Sequence, residues 1–220
     1  MKPQFNQLNH LRQTPSTLDV PVDNECWISI DEAEDVAGSI RYALAALHMT
    51  ATDGLAWKWV ALALHSALQG ACVCHLTTTA APVGALTGKS TAEWLTFLQA
   101  PPGDGPLRAP KTVLLALPEL VKAIRRPHSA GDRSNVIGIP VSDRELAWLR
   151  RFHETIRNQF IHFAPMGWSI EVSGIPAIGV LVARIVGDVA DAGWAFRHKD
   201  AAWLRTLKLD LSTLALRIRG

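Results

Sequence analysis

The fold of this chain is best approached through positions 151 to 163, which carry the sequence RFHETIRNQFIHF. Apolar side chains recur there and just before it at spacings of three and four, a pattern that predicts one buried stripe along a helix: Leu149, Phe152, Ile156, Phe160 and Phe163. A second face carries polar side chains every four residues, with an arginine beside them: Glu154, Asn158, His162 and Arg157. This stretch therefore supplies both a core-forming surface and a chemically active one.

The bounds of this helix follow from local signals. Ser142 and Glu145 have the spacing of a capping box, in which each side chain bonds the other residue's backbone N–H. Pro165 disfavours helical geometry in the residue before it, so the helix should stop by Ala164. We predict a helix that begins at Ser142 and places His162 in its last turn.

Four further helices are predicted from apolar spacing and cap residues. They run from a cap at Ser29 or Asp31 to about Met49, from about 54 to 77, from Lys111 to Arg126 with an interruption or kink at Pro118, and from about Ile175 to Phe196. Residues 205–220 fit two patterns, because alternate leucines suggest a strand and Leu207, Leu211, Leu214 and Ile218 fit one helix face. The leucine-rich composition favours the helix.

Two segments differ in composition from these helices. Residues 1–27 carry three prolines and are expected to form an extended N-terminal arm. Residues 77–110 are rich in Thr, Ala, Pro and Gly, with one short helix, Thr91 to Gln99, predicted behind a second capping box at Ser90 and Glu93 and a loop at 101–106. We predict an all-α fold: an up-and-down helical bundle of about five to seven helices in a single domain, 1–220, with 77–110 as a Pro/Gly-rich insertion.

Composition narrows the classes of function. Hydrophobic residues make up 48% and charged residues 19% of the 220 residues, which is typical of a globular protein. The net charge of +2 excludes a bulk basic field, so any RNA contact must come from local clusters such as Arg125–Arg126, Arg150–Arg151 and 217–219. The apolar segments 55–76 and 172–190 both contain ionisable residues, which favours buried core helices over membrane spans. A cytoplasmic protein without membrane association is expected.

The order Arg157-Asn158, three residues, His162 resembles the Arg-x4–6-His signature of the HEPN superfamily, which is often written with Asn after the Arg. These are small helical-bundle proteins, many of them metal-independent ribonucleases of toxin and antiviral systems, while others are binding modules without catalysis. The resemblance covers the motif helix and the helices around it, but not the insertion. It implies a homodimer with its site in a cleft between two copies, an RNA substrate, and an antitoxin protein as a possible partner.

The chemistry that this resemblance implies suits the residues present. A metal-independent ribonuclease needs a group that exchanges protons with the ribose 2′-oxygen or the leaving 5′-oxygen, and histidine titrates near neutrality. It also needs a cation against the phosphorane charge, which the donor fork of arginine supplies. Arg157 and His162 are the expected catalytic residues, with His162 at the negative helix C-terminus as general acid. Asn158 would orient the His162 ring or hold a phosphate, and Glu154 would pair with Arg157.

A structural alternative accounts for the same residues. Glu154 and Arg157 would then form a surface helix pair and His162 would cap the helix C-terminus. Residues five apart on an α-helix point about 140° from each other, so Arg157 and His162 converge only through a long reach, a loosened helix or a two-fold dimer. In this alternative the chain is a non-catalytic helical dimerisation or interaction module.

Other candidate sites are weaker. The glycines at 84 and 88 before Lys89-Ser90-Thr91 imitate a phosphate-binding loop, but three residues separate them where that loop has four. Cys72, Cys74 and His75 lack a second ligand pair, so buried thiols are expected there, and neither a metal nor a cofactor is predicted. His65 is expected to be a satisfied core histidine.

Overall fold

The computed structural model describes residues 28, 30–100, 109–162 and 169–219. The predicted arm, 1–27, and the predicted loop at 101–106 lie outside these residues. Within them the protein is all-α, as predicted, with no strand and a single isolated antiparallel bridge between Leu86 and Leu114.

Seven helices are described. They are α1 (Glu32–Met49), α2 (Ala56–Leu76), α3 (Gly88–Gln99), α4 (Leu117–Ile124), α5, α6 (Ile175–Asp191) and α7 (Ala201–Arg217). Helix α5 has three consecutive parts: α-helical Asp143–Arg151, π-helical Phe152–Arg157 and a last α-helical turn, Asn158–Ile161. A short 3-10 turn, Val83–Ala85, precedes α3.

Helices α1 and α2 form the antiparallel hairpin around which the others pack. The Asp31 side chain, one of the two predicted caps, caps α1 by accepting a hydrogen bond from the backbone of Glu34 at 2.8 Å. Helix α2 packs against α1, α4 and α6. Within the described part of the chain α2 is the one helix long and apolar enough to cross a membrane, and 67% of its most apolar window is buried inside the fold.

The start of α5 is held as the sequence predicts. Ser142 and Glu145 form the capping box: the Ser142 Oγ accepts from the Glu145 N–H at 3.3 Å, and the Ser142 N–H donates to the Glu145 carboxylate at 2.8 Å. Arg184 of α6 donates to Glu145 at 2.9 Å and to Asp188 at 2.9 Å. These hydrogen bonds hold the N-terminal end of α5 against α6. They therefore help to orient the C-terminal end of α5, which carries Arg157, relative to the core.

Three predicted helix bounds are wrong. Helix α4 begins at Leu117, so Pro118 lies in its first turn instead of kinking a longer helix; proline fits there because its missing N–H has no partner to lose. Ser90 does not cap α3 but lies inside it, where its hydroxyl donates to the Lys111 carbonyl at 2.9 Å and accepts from the Val113 N–H at 3.2 Å. Helix α6 ends at Asp191, just before Gly193 adopts a φ of +82°.

The C-terminal segment is helical, which confirms the predicted choice between strand and helix. The stripe of Leu207, Leu211, Leu214 and Ile218 is buried. Leu209, which would share the strand face, is 66% exposed. The period of burial is therefore that of a helix.

Candidate functional site

A π-helical stretch, Phe152–Arg157, lies inside α5 and carries the first part of the Arg-His motif (Arg157-Asn158-x3-His162). A π-helix closes its hydrogen bonds from i to i+5, so each turn takes roughly four to five residues instead of 3.6, and such stretches are frequent at functional sites. Phe152 at its start is 1% exposed and anchors it in the core. The stretch thus changes which side chains share a face.

The altered turn explains why one predicted pair does not form. Arg157 was expected to pair with Glu154, three residues earlier, but its guanidinium Nη1 donates to the Asn158 Oδ1 at 2.9 Å. Among the described residues Glu154 forms no ion pair, and its side chain is exposed. In a turn of more than four residues, a position three along falls well short of the same face, which accounts for the absence of a bond between Glu154 and Arg157.

His162 lies one residue beyond α5, where the prediction placed it in the last turn. Its backbone leaves the helix with φ −104° and ψ 97°, while its N–H still donates to the Asn158 carbonyl at 2.8 Å. The side chain is exposed, and within the described residues it shares no hydrogen bond with Arg157 or with the Asn158 side chain. The helix end brings Arg157, Asn158 and His162 to one region but does not join arginine to histidine within one chain.

The structure adds a histidine pair (His65 and His153) beside this motif. Nε2 of His65 on α2 lies 2.8 Å from Nδ1 of His153 in the π-helical stretch. The two ring planes are 20° from parallel and the centroids are 5.1 Å apart, so the rings meet edge to edge, nitrogen to nitrogen. His65 is 5% exposed and sits beside the Phe152 ring, whereas His153 is half-buried. The pair runs from the core to the surface.

Electrostatics keep both rings of the histidine pair neutral. Burial, followed by the neighbouring His153 and the Arg157 charge, lowers the pKa of His65 to about 3. Burial also lowers the pKa of His153, and the Arg157 charge adds to this while Glu154 opposes it. The Arg157 charge thus favours the neutral form of both imidazoles.

Only one member of the histidine pair, His65, was singled out from the sequence. The expectation that His65 is a buried, satisfied histidine is confirmed, but its partner was not identified. His153 lies four residues before Arg157, and that spacing was a signal that the two share a face. The partner on α2 lies 88 residues away and could not be found from a local pattern.

The weaker candidate sites are structural. His75 is fully buried and lies 3.1 Å from the Ser129 hydroxyl, and burial lowers its pKa to about 4. Burial raises the pKa of Cys74 to about 12 and that of Cys72 still further, which makes both thiols inert. Among the described residues no three His, Cys, Asp or Glu side chains come together as metal ligands.

A cavity of about 440 Å³ opens beside the motif, between α5 and the chain leading into α6. It is lined by the side of α5 that carries Trp148, Arg151, Thr155 and Gln159, and by Glu171 and Ser173 opposite. Neither the histidine pair nor Arg157 or His162 lines it. The cavity and the motif are therefore separate features of α5.

Comparison of this chain with protein-family models, with curated proteins and with solved structures finds no match in any of the three. The resemblance to the HEPN superfamily stays a prediction that these comparisons do not test. Function has to be inferred from the side chains described above.

Proposed function

We propose that this chain is a metal-independent endoribonuclease whose site is the Arg-His motif. The observation that supports it best is the arrangement at the end of α5: an exposed His162 follows a half-buried Arg157 whose guanidinium is held by Asn158 at 2.9 Å. A fixed guanidinium binds a phosphate with less loss of side-chain entropy than a free one. Such an enzyme would serve as a toxin or defence component, with an antitoxin protein as its regulator.

Each residue has a distinct role in this proposal. Arg157 stabilises the negative charge that develops on the phosphorane during attack by the ribose 2′-oxygen. His162 donates a proton to the leaving 5′-oxygen. Asn158 holds the guanidinium, a role inferred from the structure instead of the expected orientation of the His162 ring. Glu154 has no direct part, because it is exposed and unpaired with Arg157 in the described residues.

A homodimer completes the proposed site. Within one chain Arg157 bonds Asn158, and His162 leaves the helix with extended backbone angles and shares no hydrogen bond with Arg157 in the described residues. A two-fold interface near the end of α5 would set the histidine of one copy beside the arginine of the other. The proposal therefore includes self-association, which analytical ultracentrifugation of the purified chain measures directly.

The test is incubation with total RNA in EDTA, with wild type beside Arg157→Ala and His162→Ala. We expect fragments with 2′,3′-cyclic phosphate and 5′-hydroxyl ends, and a loss of about 10²- to 10⁴-fold in rate in each variant. Arg205→Ala and His48→Ala, at exposed positions of α7 and α1, are the matched controls and should cleave like wild type. Undiminished cleavage by both motif variants would overturn the assignment.

A non-catalytic interaction module is the second candidate, and helix α3 favours it. Ser90 is the one buried residue of this helix, although it carries Trp94, Leu95, Phe97 and Leu98. Leu95 and Leu98 are each 45% exposed. An apolar helix surface that the described residues leave open is typical of a protein–protein contact. A well-folded wild-type chain that cleaves no RNA would favour this candidate.

A further inference from the structure

The histidine pair joins the buried core to the side of α5 that bears Arg157. Nδ1 of His153 faces His65 at 2.8 Å, so Nε2, across the ring, points away from the buried partner. This Nε2 has no hydrogen-bond partner among the described residues, and it is not among the buried unpartnered atoms, so solvent reaches it. One nitrogen of His153 is fixed while the other is free for a ligand.

The π-helical stretch sets His153 beside Arg157. Four residues nearly complete a π-helical turn, so these two side chains point in almost the same direction from α5. In the proposed homodimer the His162 of the second copy lies beside the same Arg157. A phosphate bound by Arg157 would therefore have the His153 imidazole of its own chain on one side and the His162 imidazole of the other copy on the other.

We propose that His153 is the general base of the RNA cleavage and that His65 is its positioning residue. This inference rests on the proposed function, because it assigns the proton acceptor that His162 and Arg157 leave unassigned. Nε2 of His153 would contact the ribose 2′-hydroxyl, whereas His65 would act only through the His153 ring. Neither residue belongs to the Arg-His motif.

The proposed step balances without a further reactant. The 2′-hydroxyl proton moves to Nε2 of His153 while the 2′-oxygen bonds to phosphorus. The bond from phosphorus to the 5′-oxygen breaks, and the 5′-oxygen takes a proton from the His162 imidazolium. The products are a 2′,3′-cyclic phosphate and a 5′-hydroxyl, and exchange of protons with water restores both histidines.

Base catalysis requires one of the two possible tautomers of the histidine pair. His153 must carry its proton on Nδ1 and donate it to Nε2 of His65, which leaves Nε2 of His153 as an acceptor. His65 then carries its proton on Nδ1, an atom that is not among the buried unpartnered ones. When His153 gains a second proton, the bond to His65 persists, so the ring need not move during the reaction.

The charges around the histidine pair suit a base that is neutral before reaction. Arg157 and Glu154 are the charged groups that act on His153, and burial with the Arg157 charge outweighs the opposing Glu154. His65 is held neutral by burial, by His153 and by Arg157. The neutral form of His153 is thus the form present near pH 7.

The experiment is single-turnover cleavage of RNA in EDTA by His153→Ala, with and without added imidazole. We expect a loss of about 10²-fold or more, partly restored by imidazole, which fills the vacated place and accepts the proton. A merely structural role would not give this rescue. His153→Gln serves as a second variant that keeps the half-buried volume, and His48→Ala is the matched control at an exposed histidine.

The positioning role of His65 is tested by conservative and apolar substitutions. His65→Gln keeps an acceptor for Nδ1–H of His153 and should retain most activity, whereas His65→Leu should lose about tenfold or more. Long-range ¹H–¹⁵N correlation spectra of the imidazoles report the tautomer without any need for activity. We expect the Nδ1–H form of His153 in wild type and in His65→Gln, and its loss in His65→Leu.

The outcomes separate this inference from the proposed function. If wild type cleaves RNA and the motif variants do not, but folded His153→Ala or His153→Gln cleaves like wild type, the general-base assignment alone is wrong. An Nε2–H tautomer of His153 in wild type would also overturn it. If wild type cleaves no RNA at all, the proposed function fails, and the base assignment fails with it.

Discussion

Two histidines of helix α2, His65 and His75, share a helix and a degree of burial but differ in what they contact. Burial is the main cause that lowers the pKa of each, to about 3 for His65 and about 4 for His75. His65 bonds a second imidazole, His153, which reaches the surface. His75 lies against the Ser129 hydroxyl, and its Nδ1 is buried without a partner in the described residues.

The comparison shows that burial alone does not make a histidine functional. Beyond His75, the Ser129 hydroxyl donates to the Ile124 carbonyl and accepts from the Asn135 amide, so the network closes inside the loop that follows α4. Beyond His65, the chain of contacts continues through His153 to solvent and to the neighbourhood of Arg157. Of the two networks, only the one that contains His153 reaches solvent, so only that network can exchange a proton with a ligand.

The largest effect is expected from a core substitution in α2, the helix that carries both histidines. Leu68 of α2 is fully buried between them, so Leu68→Ala should lower the free energy of unfolding by about 2–5 kcal/mol. Leu209→Ala, at a leucine that is 66% exposed, should change it by less than about 0.5 kcal/mol. Urea unfolding followed by circular dichroism measures both. Equal small effects would mean that α2 is not the centre of the core.

Acid should destabilise the fold through both histidines. Their folded-state pKa values, about 3 and about 4, lie below the unfolded value near 6.5, so the unfolded chain binds protons more readily. Their stabilisation is therefore complete above pH 6.5 and falls as the pH falls towards 4. Between pH 6.5 and 5 the two together should cost roughly 2–4 kcal/mol.

Urea midpoints measured at a series of pH values test this dependence. The window from pH 6.5 to 5 lies above the range in which ordinary carboxylates titrate. His65 and His75 have the largest reductions in pKa and should dominate the slope. His153, whose pKa is also lowered, should add to it, and Asp188, whose pKa burial raises, should oppose it. The slope should be shallower in His65→Leu and in His75→Leu. A slope that neither substitution changes would show that these two rings are not the source.

A smaller effect is expected from breaking only the His75 side of the comparison. Ser129→Ala removes the hydroxyl that contacts His75, Asn135 and the Ile124 carbonyl, and should cost about 1–2 kcal/mol of unfolding free energy. It should leave RNA cleavage unchanged, because this network does not reach Arg157. Ser212→Ala, at an exposed helix position, is the control. Loss of cleavage in well-folded Ser129→Ala would join the two networks that we separate.

The smallest effect is expected at Glu154. Because its carboxylate does not pair with Arg157, Glu154→Gln should change the free energy of unfolding by less than about 0.5 kcal/mol. Glu145→Gln, which weakens both the capping box and the bond to Arg184, should cost more, about 1–2 kcal/mol. Thermal or urea unfolding ranks the two. If Glu154→Gln lowered the free energy of unfolding more than Glu145→Gln, the predicted ion pair between Glu154 and Arg157 would be supported instead.

The parts of the fold that could be predicted from sequence are those whose determinants are local. The Asp31 cap, the Ser142–Glu145 box and the leucine stripe of α7 each involve residues within one or a few turns. The helix cap predicted at Ser90 is wrong because the partners of its hydroxyl, Lys111 and Val113, lie more than twenty residues away in sequence. At Pro118 the local sequence is compatible both with a kink inside a helix and with a helix start, and only the folded structure distinguishes them.

The candidate site divides in the same way. Pro165 correctly predicted that the helix ends near His162, but the helix stops at Ile161, one residue before His162, and the exposure of His162 was not predicted. The lack of a bond from Arg157 to Glu154 follows from a π-helical turn that apolar spacing did not indicate. The histidine pair depends on the packing of α5 against α2 and is invisible to any window along the chain.

The π-helical stretch also has a consequence for how the site could arise or vanish. It holds one residue more than an α-helix would place in that turn, and each residue of α-helix corresponds to about 100° of rotation. Loss of a single codon within Phe152–Arg157 would convert the stretch to ordinary α-helix, and the helix beyond it would keep nearly its present orientation because the residue lost is the extra one. The same loss within Asp143–Arg151 would turn everything beyond it by about 100°. Gain or loss of one residue in this stretch can therefore create or remove the placement of His153 beside Arg157 without disturbing either end of α5.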